Sequence, residues 1–314
     1  MNEQATKLRA GVVGAGVFGG YHASKYAADP RADFVGVFDP VHDHAEALCA
    51  KHGGRAFESL HDLVEAVDVV TVASPAVFHH DAVRRALLAG RPVLVEKPVA
   101  ATVEEARELV DLARETGLVL SVGHQERFVF DAMGLFGDLP KLTGLSARRM
   151  GTPSARNLDV SVTLDLMIHD IDLVLALAGG APERVEAEMF EARAGLPDHV
   201  RTRLTFPGGM VAELEASRVA EARDRIMDLD YETGARVEVD FLARTFEITD
   251  GLKLDPDFAD RPAAKDSLGA NVAAFLDAVL DPKAETVAAT GADGLMALET
   301  ALAIDAAAGG ASRI

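Results

Sequence analysis

Short apolar runs alternate with stretches of helical spacing along the first 124 residues. The apolar runs are LRAGVVG, ADFVGVFD, VDVVTVAS, PVLVEK and LVLSVGH. The helical stretches are FGGYHASKYAAD, HDHAEALCAKHG, HDAVRRALLAG and VEEARELVDLARETG. Several of the runs are continuously apolar, which is typical of a parallel sheet covered by helices on both faces. The pattern predicts an α/β domain with a doubly wound parallel sheet over residues 1–124.

Apolar and polar residues alternate after about residue 124, which predicts a second domain over residues 125–314. The alternating segments are KLTGLSARRMG, RVEAEMFEARAG, VRTRLTFPGGMVAELEASRV, DRIMDLDYETGARVEVDFL and RTFEITDG. Such alternation is typical of antiparallel strands with one covered face. Helical spacing is found in TLDLMIHDIDLVLALAGG, SLGANVAAFLDAVL and GADGLMALETALAIDAAAGG. We therefore expect an α+β domain with an antiparallel sheet.

A glycine-rich turn, Gly14-x-Gly16-x-x-Gly19, joins the first predicted strand to the first predicted helix. The first glycine permits a tight turn, the second lets a pyrophosphate approach the backbone, and the third lets helix and strand pack closely. The positive potential at the start of a helix favours phosphates. The turn predicts dinucleotide binding in a Rossmann-type domain, with Val17 and Phe18 among the cofactor contacts.

Asp39 ends the second predicted strand, 20 residues after Gly19. An acidic residue at this position accepts hydrogen bonds from the adenosine ribose and repels a 2′-phosphate. Asp39 therefore predicts NAD rather than NADP as the cofactor. The alternative is that Asp39 is a helix cap or an ordinary loop residue.

The net charge is −19, from 31 basic and 50 acidic residues. So acidic a chain repels nucleic acid and anionic membranes, and we expect neither as a partner. The single cysteine, Cys49, excludes an internal disulfide and a multi-cysteine metal site, and no metal site is expected. The sequence shows neither a signal peptide nor a membrane helix, so we expect a cytoplasmic protein.

Two predicted strands of the first domain end in residues suited to ligand binding. One ends at Ser74-Pro75 and another at Glu96-Lys97-Pro98. In a parallel sheet the ligand crevice lies beyond the carboxyl ends of the strands, so we expect both segments to border the nicotinamide. His79, in SPAVFHH, is a further cofactor-contact candidate and could equally be a structural cap. By itself, a charged strand end could also simply reach solvent.

Asp165 and His169 are four residues apart in TLDLMIHDID and therefore share one face of a predicted helix. A carboxylate one turn before an imidazole orients it and raises its pKa, and a histidine that titrates near neutrality suits a general base. The alternative is a histidine buried in the core. Asp170 and Asp172 lie off this face and are expected to be structural or solvated.

The chain resembles the family of glucose-fructose oxidoreductases and inositol dehydrogenases, Gfo/Idh/MocA, over essentially its full length. The segments that carry the resemblance, in the family's order, are VGAGVFGGYH, ASPAVFHHDAV, VEKPVAAT, SVGHQERF and LDLMIHDIDLV. In that family the lysine of the Glu-Lys-Pro tripeptide lies near cofactor and substrate, and an Asp-x-x-x-His pair completes the site. The resemblance implies these catalytic roles for Lys97, Asp165 and His169.

GHQERF and ARRMGTPSARNLDVSVTLDLMIHDID resemble the branch of the family that acts on nucleotide sugars. This implies oxidation of a secondary hydroxyl, at C3, of a UDP-amino sugar such as UDP-N-acetylglucosamine. Arg127, Arg149 and Arg156 are the candidate substrate ligands, since arginine binds a diphosphate bidentately. Arg148 and Arg149 alternate on a strand, so only one of them can face the ligand.

Two other functions are compatible with the sequence. A free polyol or aldose dehydrogenase of the inositol type would not need the arginines. A non-catalytic ligand-sensing regulator would usually lack the lysine or the histidine, and this chain has both. The resemblance also implies a homodimer or homotetramer that pairs through the open sheet of the second domain.

Overall fold

The computed structural model describes residues 7–154, 160–193, 196–249 and 251–309. The described chain divides into two compact units. The first comprises the described residues up to Phe128 together with Asp266–Leu295. The second comprises Val129–Lys265 and the described residues from Met296 onward. The segment 266–295, which the sequence-based division assigned to the second domain, therefore belongs to the first unit.

A parallel sheet with helices between its strands forms the first unit. Its strands are β1 Leu8–Val13, β2 Ala32–Phe38, β3 Arg55–Phe57, β4 Val69–Val72, β5 Val93–Val95, β6 Leu120–Val122 and β14 Ala289–Thr290. Its helices are α1 Val17–Ala28, α2 His42–His52, α3 Leu60–Ala66, α4 His79–Leu88, α5 Val103–Thr116 and α9 Ser267–Leu280, with a 3₁₀ turn at Ala76–Phe78. The strand order is β14-β6-β5-β4-β1-β2-β3, and only the β14–β6 pair is antiparallel. The predicted doubly wound sheet is confirmed, and its order reverses at β1, where such folds bind ligands.

The core of the first unit includes residues that follow the second unit's sheet in sequence. Leu268, Val272, Phe275 and Leu276 of α9 are buried in the same cluster as Val12 of β1. Their spacing of four, seven and eight residues forms one apolar helix face. This face packs α9 into the core of the first unit.

An open sheet of seven strands forms most of the second unit. Its strands are β7 Leu142–Met150, β8 Arg184–Arg193, β9 Leu196–Thr205, β10 Val211–Ser217, β11 Asp224–Tyr231, β12 Arg236–Asp240 and β13 Thr245–Ile248. The order is β13-β12-β11-β7-β10-β9-β8, and only the β7–β10 pair is parallel. The other elements of this part of the chain are a π-helical turn at Thr163–Met167, α7 Ile168–Ala178, a 3₁₀ turn at Phe258–Asp260 and α8 Pro262–Lys265. Two helices, α6 Glu126–Met133 and α10 Gly291–Ala307, cross the divisions between the units.

The two faces of the second sheet differ in chemistry. The π-helical turn packs against β10 and α7 packs against β7, and the residues on this face, such as Leu214, are buried. The other face carries charged side chains that pair across strands. Arg203 bonds to Glu213, and Arg201 bonds to Glu215 at 3.1 Å. The predicted alternation of a covered and an open face is confirmed.

The described helices are too short or too polar to cross a membrane. The longest, α10, has 17 residues. Within the described residues there is also no group of three or more side chains arranged to hold a metal ion.

Candidate active site

The glycine turn of the first unit has the steric properties of a dinucleotide site. Gly14 has φ 98°, and a Cβ there would lie 2.8 Å from the backbone nitrogen of Ser74. A Cβ on Gly19 would lie 1.9 Å from the carbonyl oxygen of Gly14. A Cβ on Gly16 would have no atom within 4 Å. The first and third glycines are therefore needed for packing, while the middle one leaves its backbone open to a ligand.

The start of α1 is left open to an anion. Gly16 is the N-cap, no side chain caps the helix, and the first turn carries no acidic residue. At the start of α5, in contrast, Thr102 and Glu105 form a complete capping box. Uncapped N–H groups and the helix dipole together bind phosphate. Val17 and Phe18, the first residues of the helix, are 62% and 47% exposed beside this open end.

Asp39 follows β2 directly and lies against the glycine turn. Its carboxylate accepts hydrogen bonds from the backbone N–H of Ala15 at 2.7 Å and of Val41 at 2.8 Å. A carboxylate offers about four acceptor positions, so these two bonds leave capacity for ribose hydroxyls. The open helix start, the uncrowded Gly16 and the acceptor at Asp39 fit the diphosphate and ribose of NAD.

Ser74 and Pro75, after β4, border the same turn. The hydroxyl oxygen of Ser74 is buried and has no hydrogen-bond partner among the described residues. A buried hydroxyl without a partner is costly, so this group is suited to a ligand. Pro75 is exposed.

The Glu-Lys-Pro segment after β5 separates its two charges. Glu96 is 8% exposed, and its carboxylate lies 2.8 Å from the ring Nε2 of His22 and 3.3 Å from the side-chain nitrogen of Gln125. Burial by itself raises the pKa of the Glu96 carboxyl, but the bond and charge of His22 and the charge of Lys97 outweigh it, and the pKa is lowered. Lys97 is half-buried, and the Lys97–Pro98 peptide bond is cis. Glu96 is thus buried and bonded to neighbouring side chains, and its predicted cofactor contact stays a prediction.

His79 is also turned into the protein. It is 1% exposed, and its Nδ1 and Nε2 lie 2.8 Å from the carbonyl oxygens of Pro98 and Ser74. Burial lowers the pKa of the His79 imidazole, although the two carbonyls and the Glu96 charge act in the opposite direction. These contacts assign His79 to the backbone around the site, and they argue against the predicted contact with the cofactor.

Asp165 and His169 lie on an irregular helical segment of the second unit. Asp165 belongs to the π-helical turn Thr163–Met167 and His169 to the first turn of α7, where the sequence predicts one regular helix. Both residues are half-buried. π-Helical turns are rare and occur frequently at functional sites. The segment combines a carboxylate and an imidazole that retain access to solvent.

Arg149 is buried in an ion pair with Asp170. It is 2% exposed, and its Nε and Nη2 donate to the two carboxylate oxygens of Asp170 at 2.8 and 2.6 Å. A bidentate buried pair of this kind argues against the predicted substrate contact of Arg149. It also makes Asp170 structural rather than solvated. Arg148 lies on the open face of the sheet and pairs with Asp224.

Of the other two predicted substrate arginines, the structure describes Arg127 only. Arg127 is 7% exposed, and its Nη2 lies 3.5 Å from a carboxylate oxygen of Asp293 within the first unit. Burial by itself raises the pKa of the Asp293 carboxyl, but the Arg127 charge and the Thr290 hydrogen bonds lower it overall. Arg127 is therefore a buried, ion-paired residue. Arg156 lies outside the described residues.

His22 is a buried residue beside the Glu-Lys-Pro segment that the sequence reasoning missed. It follows Gly19 by three residues on α1 and is fully buried, so it faces the sheet with Gly19. The available signal was a histidine three residues after Gly19, on the helix face that also carries Ala23 and Tyr26. Its partner, Glu96, is 74 residues away in sequence and could not be read from that pattern.

Two family models match most of the chain. Residues 8–124 match an oxidoreductase family with an NAD-binding Rossmann fold. Residues 134–240 match the GFO/IDH/MocA C-terminal domain. The matched ranges contain the glycine turn, the Glu-Lys-Pro segment and the π-helical turn.

Relatives of known activity resemble the chain over most of its length. It is 35% identical over 283 residues to a UDP-N-acetylglucosamine 3-dehydrogenase of Acidithiobacillus ferrooxidans, which covers 87% of this chain and 88% of the relative. A solved structure of UDP-N-acetylglucosamine 3-dehydrogenase from that organism gives a TM-score of 0.88 at 34% identity, covering 96% of this chain and 97% of the other. A D-glucoside 3-dehydrogenase of Escherichia coli is 33% identical over 206 residues, 60% of this chain and 59% of the relative. With the two domain matches, this likeness shows that the chain belongs to the Gfo/Idh/MocA oxidoreductases and is an NAD-dependent dehydrogenase acting on CH–OH groups.

Proposed function

We propose that this dehydrogenase oxidises the C3 hydroxyl of a UDP-amino sugar such as UDP-N-acetylglucosamine to a ketone. The observation that carries the proposal is the likeness to the UDP-N-acetylglucosamine 3-dehydrogenase, which extends over 87% of this chain and 88% of the relative. A likeness that spans both domains includes the substrate-binding part as well as the cofactor-binding part. A cytoplasmic location fits this proposal, because NAD and nucleotide sugars are available there.

The proposed chemistry assigns one task to each of three residues. His169 accepts the proton of the C3 hydroxyl, and Asp165 orients the imidazole and stabilises its charged form. Lys97 donates a hydrogen bond to the oxygen that becomes negative as the proton leaves. NAD, when bound, supplies the acceptor for the hydride.

The cofactor is proposed to bind along the glycine turn. The open start of α1 at Gly16 would hold the diphosphate, and Asp39 would accept from the ribose hydroxyls. Ser74, whose buried hydroxyl has no described partner, would donate to the cofactor. Val17 and Phe18 would cover it on the exposed side of the helix start.

Arg156 is the remaining candidate for the diphosphate of the substrate. Arg127 and Arg149 are engaged with Asp293 and Asp170, whereas an acidic chain needs a local cation to hold a UDP group. A charge-assisted hydrogen bond contributes about 1.5–3 kcal/mol, so Arg156→Ala should raise the KM for the UDP-sugar about ten- to a hundredfold. Turnover at saturation should barely change if the contact is equal in ground and transition states. An unchanged KM would remove Arg156 from the substrate site.

The enzymatic alternative is oxidation of a free sugar or polyol. The likeness to a D-glucoside 3-dehydrogenase over 60% of the chain favours this alternative more than any other. Steady-state NADH formation with UDP-N-acetylglucosamine, N-acetylglucosamine, methyl glucoside and myo-inositol distinguishes the two. The proposal expects the UDP-sugar to be the preferred substrate. Oxidation of a free sugar or inositol with the UDP-sugar inert would reject it.

We further propose that two copies pair through the open face of the second sheet. That face carries cross-strand ion pairs such as Arg203 with Glu213, and a two-fold contact can exchange such pairs between copies. Light scattering should give the mass of a dimer or tetramer for the wild type. Arg203→Glu, which places like charges opposite each other, should lower that mass. A monomeric wild type would contradict the pairing.

A further inference from the structure

Two buried histidines from different helices contact the segment that carries Lys97. His22 of α1 is 0% exposed, and its Nε2 lies 2.8 Å from a carboxylate oxygen of Glu96, the residue before Lys97. His79 at the start of α4 has its Nδ1 2.8 Å from the carbonyl oxygen of Pro98, the residue after Lys97. The turn 96–98 is thus held on both sides of the lysine.

The second ring nitrogen of His79 extends this support to the neighbouring strand. Its Nε2 lies 2.8 Å from the carbonyl oxygen of Ser74, which follows β4. The ring therefore spans the ends of β4 and β5, two adjacent strands of the sheet. A neutral imidazole has one N–H and can donate to only one of the two carbonyls, whereas an imidazolium can donate to both.

The space around the Glu96 carboxylate is fitted to this arrangement. A Cβ on Gly123 would lie 2.7 Å from a carboxylate oxygen of Glu96, so a larger residue at this position would displace the carboxylate. The side-chain nitrogen of Gln125 donates to Glu96 at 3.3 Å. A buried carboxylate that loses a hydrogen-bond partner is left unsatisfied, so these contacts favour one conformation of the turn.

We propose that His22 and His79 are positioning residues for Lys97, a pair that we name the histidine brace. A lysine has a long flexible side chain, so a defined position for its ammonium requires a fixed backbone. Preorganisation of a group that acts on developing charge lowers the barrier without changing the affinity for the ground state. The brace rests on the catalytic role proposed for Lys97.

The chain offers matched variants that keep or remove single bonds of the brace. The side-chain nitrogen of glutamine is as many bonds from Cα as Nε2 of histidine, and that of asparagine as many as Nδ1. His22→Gln can therefore keep the bond to Glu96, whereas His22→Leu removes it. His79→Asn can keep the bond to Pro98, whereas His79→Gln keeps only the bond to Ser74.

Tyr26→Phe is the control for a general loss of stability. Tyr26 lies one turn after His22 on α1, is fully buried, and its hydroxyl is 2.7 Å from the Thr71 hydroxyl. The variant removes one buried hydrogen bond from the same helix without touching the turn. It should lower the melting temperature and leave turnover near that of the wild type.

Turnover, NADH affinity and hydrogen exchange together test the brace. We expect His22→Leu and His79→Gln to lose at least tenfold in turnover, and His22→Gln and His79→Asn to recover much of it. Affinity for NADH, measured by fluorescence in the absence of substrate, should stay within about threefold. Amide exchange in the cofactor-free protein should accelerate in peptides covering residues 96–100 in the two impaired variants, and not in Tyr26→Phe.

Equal turnover within each pair, or an equal loss in Tyr26→Phe, would overturn the brace. Unchanged exchange at 96–100 in the impaired variants would do so as well. The exchange measurement needs no substrate, so it stands if the UDP-sugar proposal fails. Turnover is then measured on whichever sugar the wild type oxidises. If His22→Leu does not fold, the His79 pair alone decides.

Discussion

The turn after β5 and the helical segment at 163–170 each contain two adjacent polar residues, one buried and one half-buried. The buried carboxylates of the two segments have different partners. Glu96 precedes Lys97, and Asp170 follows His169. In both cases the carboxylate is buried and ion-paired while the candidate catalytic group remains half-buried. The partner of Glu96 is a histidine and that of Asp170 is an arginine. In each segment one charged residue is held by a buried contact, and its neighbour remains accessible for the proposed chemistry.

The largest effect is expected at Lys97 and His169, the two groups proposed to act on the substrate hydroxyl. Lys97→Ala and His169→Ala should each lose about 10²–10⁴-fold in turnover, because each removes a proposed acid–base or electrostatic group. Both variants should fold and bind NADH. Single-turnover and steady-state rates check this. A His169→Ala enzyme with more than a tenth of wild-type turnover would remove the histidine from the mechanism.

The buried pair of the second unit should act on stability. Removing one partner of a buried ion pair typically costs about 3–5 kcal/mol, so Arg149→Met should lower the free energy of unfolding by about that amount. The double variant Arg149→Met, Asp170→Leu should recover much of the lost stability, since both charges of the pair are then removed. Urea unfolding measures both. A loss below about 1 kcal/mol in Arg149→Met would show that the pair is not a structural element.

Asp39 is a third carboxylate near the candidate site. It bonds to the protein backbone and is also proposed to contact the cofactor. It holds the N–H groups of Ala15 and Val41 and is proposed to bind ribose as well. Asp39→Asn keeps one of the two acceptor oxygens for the backbone and loses the charge. Its preference for NAD over NADP should fall about ten- to a hundredfold, as expected for one charge-assisted bond. Calorimetry with both cofactors tests this, and a wild type that prefers NADP would contradict the placement of Asp39.

The smallest effect is the pH dependence of the stabilisation that Glu96 provides. The folded protein lowers the pKa of Glu96 below its ordinary value of 4.5. The unfolded chain therefore takes up this proton first as the pH falls, and the stabilisation by Glu96 is complete above pH 4.5 and is lost below it. The stability advantage of the wild type over Glu96→Gln should be present at neutral pH and should narrow as the pH falls below 4.5. A gap independent of pH would contradict this assignment.

The sequence predicts the elements whose pattern is local. The apolar runs gave five strands of the parallel sheet, and Gly14 and Gly19 were correctly expected to allow a tight turn and close packing. The alternation in the second domain predicted its strands, because one face is buried and the other is charged. These features depend on neighbours within a few residues.

The features that the sequence did not predict depend on distant contacts. β3 is the segment Arg-Ala-Phe, which has no continuous apolar run, and β14 has only two residues. The apolar face of α9 does not indicate which core it joins. Arg148 and Arg149 alternate as expected, but Asp170, the partner of Arg149, lies on another element. Glu96, the partner of His22, is likewise distant in sequence.

The most direct test of the account uses UDP-N-acetylglucosamine that carries deuterium at C3. If the enzyme oxidises the C3 hydroxyl, the deuterium is transferred and mass spectrometry should find it in the reduced cofactor. The ketone product should contain none at that carbon. Reduced cofactor without deuterium would show that another carbon is oxidised, and no reduced cofactor at all would contradict the proposed substrate.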